Sequence, residues 1–141
     1  MIGFDLDGVI IPDCDNMPNV GNVGEFYELA AMNMQPLFQP GSESVIITAR
    51  YQRYTPLTIA WVNRYINPLP RRVYHDRTTE SAAGYKSTIL NNDHTISVYV
   101  ESDLEIVEAL KRTVRTSCKI VHFSTWVAEQ LSELERKQRY F

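Results

Sequence analysis

The chain begins MIGFDLDGVIIPD (residues 1–13), where a short apolar run ends at Asp5, and Asp7 and Gly8 follow. The run IGFD is typical of a short buried strand, and the Gly-, Pro-, Asn- and Asp-rich residues after it indicate turn and loop. An aspartate at a strand end commonly caps a turn. The two carboxylates therefore gain a functional meaning only if the rest of the chain brings other polar groups to the same place.

The rest of the sequence alternates short β-rich runs with longer segments of helical spacing. The run SVIITA (residues 44–49) is the clearest strand, because a continuous apolar run is expected of a central strand covered on both faces. This alternation favours the α/β class, as a Rossmann-like three-layer α/β/α sandwich with a mainly parallel five-stranded sheet. Strands are predicted at residues 2–5, 44–49, 71–75, 95–101 and 118–123, and helices at 24–34, 55–66, from near Gly84 or Tyr85, at 103–114 and at 125–140.

Length and composition indicate one globular domain over residues 1–141. The formal net charge of −3 excludes a strong overall attraction to nucleic acid or anionic membrane, although it permits a local basic patch. No apolar run approaches the roughly 20 residues that span a bilayer, and the first residues are too short and too acidic for a signal peptide. Cys14 and Cys118 have no metal-ligand spacing and favour a reducing, cytoplasmic location.

Polar residues follow three of the predicted strands at the point where each strand ends. Asp5 and Asp7 follow the first strand, Thr48 follows the second and Glu101 follows the fourth. In open parallel sheets, ligands bind beyond the carboxyl ends of the strands. We therefore expect these side chains to meet at one edge of the sheet and to form the functional site.

The acidic residues at this edge predict a divalent cation. Carboxylates that converge repel one another unless a cation lies among them, and hard oxygen ligands suit Mg²⁺, which takes few carboxylates and keeps several waters. Thr48 adds a hydroxyl and Lys86, near a helix start, adds a positive charge, so the site is suited to hold a phosphoryl group. The predicted metal ligands are Asp5, Asp7, Glu101 and Asp103.

Four segments of the chain together resemble the four motifs of the haloacid dehalogenase (HAD)-like hydrolase superfamily, in its small phosphatase type without a cap. The order, the spacing and the places of the motifs in the strand–helix pattern all match, over about residues 1–115. An isolated Asp-x-Asp-Gly is a weak signal, whereas the ordered set is specific. The segments are GFDLDGV (residues 3–9), VIITAR (45–50), GYKSTIL (84–90) and YVESDLEIVEAL (99–110).

The resemblance implies a catalytic role for each of four residues. Asp5 would be the nucleophile that forms an aspartyl-phosphate, and such a covalent step divides one difficult displacement into two. Asp7 would protonate the leaving alcohol and then activate water, and its backbone carbonyl would bind Mg²⁺. Thr48 would donate a hydrogen bond to a phosphoryl oxygen. Lys86 would pair with Asp5, with Arg77 as the alternative cation.

The last motif departs from the family pattern, which has two adjacent aspartates or a Gly-Asp with a further Asp. Here it reads Glu101-Ser102-Asp103. The resemblance implies that these acidic residues bind the metal, directly or through water, and leaves open which of the two is the inner ligand. This departure keeps open a catalytically weak phosphate-binding module of the same fold. Beside Thr48, Ala49 and Arg50 are predicted to contact substrate, since guanidinium suits phosphate; a surface ion pair is the alternative for Arg50.

The site is predicted to be open to solvent. Between Gly8 and the first helix the chain has room for a flap-like loop, residues 8–24, and not for a cap domain. An open site suits a large substrate such as a nucleic-acid end or a phosphoprotein, and a second copy of the chain covering the site is the alternative. A loose likeness to the phosphatase part of polynucleotide kinases and to deoxyribonucleotidases favours nucleotide or polynucleotide phosphate. A nucleotidase acting on free mononucleotides remains the alternative within the same class.

Two further groups of residues receive simpler interpretations. Arg71, Arg72 and Arg77 are close in sequence and are a candidate for a positive rim around a phosphorylated substrate. His75 and His122 lie near strand ends, have no ligand spacing and are expected to be structural.

Overall fold

The computed structural model describes residues 1–13 and 21–139 of the chain. Within them, five short strands alternate with five helices, as the sequence predicts. The strands are β1 (Ile2–Phe4), β2 (Ser44–Ile47), β3 (Arg72–Tyr74), β4 (Val98–Glu101) and β5 (Lys119–His122). The helices are α1 (Val23–Asn33), α2 (Thr55–Tyr65), α3 (Ala82–Asn92), α4 (Leu104–Thr113) and α5 (Phe123–Gln138), with a short 3₁₀ turn over Gln52–Tyr54.

The strands form one sheet in the order β3-β2-β1-β4-β5, and every neighbouring pair is parallel. The predicted α/β class with a five-stranded sheet is therefore confirmed, and the described sheet is entirely parallel. The chain passes from β1 outward to β3 and then returns to the other side of β1 to form β4. This reversal makes the carboxyl ends of β1 and β4 the switch point where α/β sheets bind ligands.

Helices cover both faces of the sheet and give two hydrophobic clusters. One cluster packs α1, α2 and the start of α5 on the sheet, with Phe26 and Trp61 fully buried at its centre. The other packs α3 and α4 on the opposite face around Tyr99 and Leu110. Side chains alternate between the two faces along each strand, as the two-residue period requires. The arrangement is the predicted three-layer sandwich.

Polar side chains cap the starts of α1, α3, α4 and α5. Asn22 and Ser81 accept hydrogen bonds from backbone N–H groups in the first turns of α1 and α3, and His122 does the same for α5. Because Ser81 satisfies a backbone donor, α3 begins at Ala82, two residues before the Gly84 start expected from the turn-like sequence. No helix in residues 1–13 and 21–139 is long and apolar enough to cross a bilayer.

The loop after β1 begins as a compact, buried turn. The backbone N–H groups of Val9, Ile10 and Ile11 all point to the carbonyl of Leu6, and the four side chains are fully buried. Residues 14–20 of the predicted flap-like loop, Cys14 among them, lie outside the described residues. The described part of this loop therefore anchors the site to the core beneath α1 and α2.

Candidate active site

A small cavity lies at the carboxyl ends of β1, β2 and β4, where the sequence predicts the site. It has a volume of about 180 Å³ and is open to solvent. Its lining comes from five segments far apart in the sequence, which the parallel sheet, α1 and α3 bring together. The residues are Asp5, Asp7, Asp13, Tyr27, Ala49, Arg50, Lys86, Glu101, Ser102, Asp103 and Ile106.

Asp5, Lys86 and Glu101 form a buried ion-pair network at the base of the cavity. The ammonium of Lys86 lies 3.1 Å from Asp5 Oδ1 and 2.5 Å from Glu101 Oε1, and the whole Lys86 residue is only 2% exposed. Strand periodicity explains the meeting, because Asp5 and Glu101 project toward the face that α3 covers. The sequence-based pairing of Lys86 with Asp5 agrees with this geometry, and Arg77 lies elsewhere.

Burial and charge act differently on the three groups. Burial raises the pKa of Asp5 well above its usual value, although Lys86 opposes this rise. Burial also acts to raise the pKa of Glu101, but Lys86 and several hydrogen bonds outweigh it, so the pKa of Glu101 is lowered. For Lys86, the attraction of both carboxylates overcomes the effect of burial and raises its pKa. The pKa shifts therefore favour the charged forms of Glu101 and Lys86 and disfavour that of Asp5.

Glu101 is held by more than Lys86. The Tyr99 hydroxyl donates to Glu101 Oε1 at 3.0 Å, and the backbone N–H groups of Ser102 and Asp103 donate to Oε2 at 2.9 and 3.0 Å. These bonds turn the carboxylate inward, toward Lys86. In this structure Glu101 pairs with the lysine that faces Asp5, and its role as a metal ligand stays a prediction.

Ser102 is a site residue for which the sequence analysis predicted no role. Its hydroxyl oxygen lies 2.9 Å from Asp5 Oδ2, 3.2 Å from the Asp7 carbonyl oxygen and 3.4 Å from Glu101 Oε2. Gly8 makes room for it: a Cβ on Gly8 would lie 2.8 Å from Ser102 Cβ and Oγ, and the φ of +88° also favours glycine. The place of Ser102 in the last motif, between two acidic residues, was the available signal.

His122 fixes the backbone of Ser102 from the neighbouring strand. Its Nδ1 accepts from the Ser124 N–H at 3.2 Å, which leaves the ring proton on Nε2, and Nε2 donates to the Ser102 carbonyl at 3.0 Å. His75 is also hydrogen-bonded, to the Thr55 hydroxyl at 2.9 Å. Both contacts agree with the structural role expected for these histidines.

Asp7 is bound by Arg50 through both carboxylate oxygens. Arg50 Nε donates to Oδ2 at 2.9 Å and a terminal nitrogen donates to Oδ1 at 2.8 Å. Arg50 also donates to the Thr58 hydroxyl, lies over the Tyr27 ring and is almost completely buried. The ion pair proposed as an alternative for Arg50 is present, and it is a buried pair rather than a surface one.

The other residues predicted after β2 are divided between the core and the cavity. Thr48 is 1% exposed, and its hydroxyl oxygen accepts from the Arg50 N–H at 3.2 Å. Thr48 does not line the cavity, whereas Ala49 and Arg50 do. The structure thus brings Ala49 nearer to a bound substrate than the Thr48 hydroxyl.

Asp103 lines the cavity but its carboxylate is used by α4. Its Oδ1 accepts from the N–H groups of Glu105 and Ile106 at the start of that helix, at 2.8 and 3.3 Å. Within residues 1–13 and 21–139, no group of three or more His, Cys, Asp or Glu side chains is spaced to hold a metal ion. Any cation at this site would therefore rely on backbone oxygen as well as on carboxylate.

The three neighbouring arginines do not form one positive rim. Arg71 and Arg72 lie at the amino end of β3, where Arg72 pairs with Asp93 at 2.8 Å and Arg71 approaches Glu43 at 3.6 Å. Arg77 lies beyond the carboxyl end, and donates to the carbonyl of Ala49 at 3.0 Å. Because β3 separates them, sequence proximity was misleading for Arg71 and Arg72, and only Arg77 reaches the side of the cavity.

Comparison of the chain with models of protein families, with curated proteins and with solved structures found no match. A functional interpretation therefore depends on the motifs and on the geometry described above.

Proposed function

We propose that the protein is a Mg²⁺-dependent phosphomonoester hydrolase that acts through an aspartyl-phosphate on a nucleotide or polynucleotide phosphate. One observation carries this proposal: the Asp5 carboxylate is held at the switch point of the sheet, beside an open cavity, between the ammonium of Lys86 and the hydroxyl of Ser102. With the Leu6 N–H as a further donor, both oxygens of this carboxylate are held, and it presents a defined orientation to an electrophile in the cavity.

The chemistry assigned to the chain has two displacements. A carboxylate oxygen of Asp5 forms a bond to phosphorus while the ester P–O bond breaks, and the departing alkoxide takes a proton from Asp7. A water then gives its proton to Asp7 and attacks the same phosphorus, which releases inorganic phosphate and regenerates Asp5. Lys86 faces the nucleophile throughout and limits the build-up of negative charge beside it.

The contact of Asp7 with Arg50 sets a condition on this chemistry. Both carboxylate oxygens of Asp7 accept from the guanidinium, so proton transfer to or from a substrate has to use the remaining lone pairs of this carboxylate. The side chain of Asp7 is 19% exposed and that of Arg50 is 1% exposed, so Asp7 is the partner with room to move. Substrate entry would draw Asp7 toward the cavity while Arg50 stays in place.

The oxygen atoms around Ser102 fit Mg²⁺. Asp5 Oδ2, the Asp7 carbonyl and Glu101 Oε2 all face one hydroxyl, which has a single proton and can satisfy one of them at a time. Asp5 Oδ2 and the Asp7 carbonyl would hold the ion, with water completing its shell, as Mg²⁺ prefers. When bound, the ion would supply positive charge that keeps Asp5 ionised despite burial and that neutralises the phosphoryl oxygens.

Hydrolysis of an aryl phosphate by the purified chain, with and without Mg²⁺, tests the proposal. We expect Mg²⁺-dependent release of phosphate that is lost in Asp5→Asn, since an amide cannot form the acyl phosphate. Trapping the intermediate with labelled substrate and acid quench would place the label on the peptide that contains Asp5. Full activity of Asp5→Asn would exclude the nucleophile proposed here.

A second candidate is a phosphate-binding module that has the fold but turns over slowly. The capture of Asp7 by Arg50, and the use of Asp103 as a helix cap, favour it because both residues are occupied by structural contacts. Mg²⁺ with beryllium fluoride mimics the acyl phosphate and should raise the melting temperature of an active enzyme. A module would instead respond to inorganic phosphate in the absence of Mg²⁺ and show no turnover.

A further inference from the structure

A continuous row of tyrosine rings and arginine guanidinium groups leads from the cavity over the outer surface. Each member of the row contacts the next at 3.8–5.1 Å, measured between ring centroids or from a guanidinium carbon to a ring centroid. We call this row the Arg–Tyr strip. In spatial order it runs Arg50, Tyr27, Tyr54, Arg53, Tyr51, Arg77.

The strip begins at the cavity and ends on the exposed surface of the protein. Arg50 and Tyr27 line the cavity, and Arg50 is buried against Asp7. At the other end Tyr51 is 40% exposed. The isolated bridge between Tyr51 and Arg77, with the Gln52 N–H donating to the Arg77 carbonyl at 2.8 Å, fixes the outer end to the segment after β3. The strip is therefore a surface of fixed backbone, continuous with the cavity.

Its outer arginines carry charge without an acidic partner. In the part of the chain that the structure describes, neither Arg53 nor Arg77 forms an ion pair. The nearby Glu80 carboxylate is occupied by Thr78 and Thr79. Arg77 is held by carbonyl groups, whereas Arg53 only lies over two rings, at 5.0 and 5.1 Å. A loosely stacked, exposed guanidinium can turn toward an anion at little cost.

We infer that the Arg–Tyr strip binds the single-stranded polynucleotide that carries the phosphate to be removed. Positive charge that follows the backbone, together with aromatic rings on which bases stack, is how proteins bind single strands without reading sequence. Arg53 turns to contact a backbone phosphate, and a base then stacks on the Tyr51 ring in the position that the Arg53 guanidinium has left. The inference rests on the proposed function for the direction of the bound strand, because that function requires the terminal phosphate to lie in the cavity.

The length of the strip distinguishes a polynucleotide from a mononucleotide. A nucleotide whose phosphate reached Asp5 would place its own base near Tyr27 and Tyr54, inside the strip. Tyr51, Arg53 and Arg77 lie further out along the strip, beyond the reach of a mononucleotide whose phosphate is in the cavity. Their combination of ring and charge therefore serves the next nucleotides along the strand.

Binding can be measured without catalysis, by fluorescence anisotropy in EDTA with the full chain. The probe is a fluorescein-labelled oligothymidylate of about twelve nucleotides, within the range of known single-strand sites, with a phosphate on the unlabelled end. Arg53→Gln should weaken binding and reduce the slope of log Kd against log salt by about 0.7, the value for one lost phosphate contact. Tyr51→Leu should weaken binding roughly tenfold without changing that slope.

The chain offers a matched control in Arg64, which lies over the ring of Tyr65 at 5.3 Å on the exposed side of α2. Arg64→Gln removes the same kind of contact away from the strip and should leave binding unchanged. Wild-type binding by both Arg53→Gln and Tyr51→Leu, or an equal loss in Arg64→Gln, would overturn the inference. Equal competition by thymidine monophosphate, or equal affinity for a duplex, would also overturn it.

The two proposals fail in different ways. Oligonucleotide binding that depends on the strip, without Mg²⁺-dependent hydrolysis of an aryl phosphate, would exclude the hydrolase proposal and support the polynucleotide surface. Hydrolysis of the aryl phosphate, together with oligonucleotide binding that does not depend on Arg53 or Tyr51, would support the hydrolase proposal and exclude the strip as the binding surface.

Discussion

Replacing Lys86 by Met should destabilise the fold strongly, because it leaves two buried carboxylates without their cation. Lys86 Nζ lies 3.1 Å from Asp5 and 2.5 Å from Glu101, and the two acidic residues are 6% and 1% exposed. Methionine has a similar volume, so packing changes little and charge dominates. Removing one partner of a buried ion pair typically costs about 3–5 kcal/mol. This is a large part of the roughly 5–15 kcal/mol that stabilises an ordinary domain.

A second substitution separates charge from packing. Lys86→Met adds one net negative charge to the network, and Glu101→Gln in the double variant removes one again. The double variant should therefore recover more than half of the lost free energy of unfolding, even though it contains two changes. Lys111→Met is the control, because Lys111 is exposed and lies 3.9 Å from Glu108, a surface pair worth about 0–1 kcal/mol.

The assay is urea unfolding followed by circular dichroism, in EDTA at neutral pH. With a slope of about 2 kcal/mol per molar urea, the midpoint of Lys86→Met should fall by about 2 M, and that of the control by less than about 0.5 M. A Lys86→Met midpoint within 0.5 M of wild type, or a double variant less stable than the single one, would refute the reasoning on charge.

Two further predictions concern other parts of the chain. Gly8→Ala should cost more than Gly41→Ala, because both have φ near +90°, which costs about 1–3 kcal/mol for a side chain, but only at Gly8 does the new Cβ meet Ser102; equal melting temperatures would contradict this. In a Cys14→Ser background, Cys118 should react with iodoacetamide about a hundredfold more slowly at pH 8 than in urea, since burial raises its pKa to about 11; mass spectrometry measures the rate, and equal rates would show that the thiol is exposed.

Much of the fold could be predicted because its signals are local. Strand and helix runs have different periods, and each of the five described helices begins within three residues of its predicted start. The start of α3 was predicted two or three residues too late, at Gly84 or Tyr85, because the residues before it resemble a turn. The capping hydrogen bond of Ser81 instead starts the helix at Ala82. The places of Asp5 and Glu101 at strand ends followed from the same local patterns.

The site was only partly predictable, because its side chains contact residues that are distant in sequence. The run RYQRY (residues 50–54) already mixes arginine and tyrosine, but its meaning depends on Tyr27 and Arg77, which other segments supply. The Asp103 carboxylate lines the cavity, but one of its oxygens accepts from the N–H groups at the start of α4, a contact that only the fold reveals.

The amino-acid order by itself determined the alternating strands and helices, and with them which residues stand at the carboxyl ends of the strands. Periodicity and capping act over a few residues, so they can be read without the fold. Only the tertiary structure decided that Lys86 joins Asp5 to Glu101, that Arg50 holds Asp7, and that Ser102 lies between them. The energies of those pairs depend on burial and on distances of a few ångströms between separate segments, which exist only after the sheet has formed.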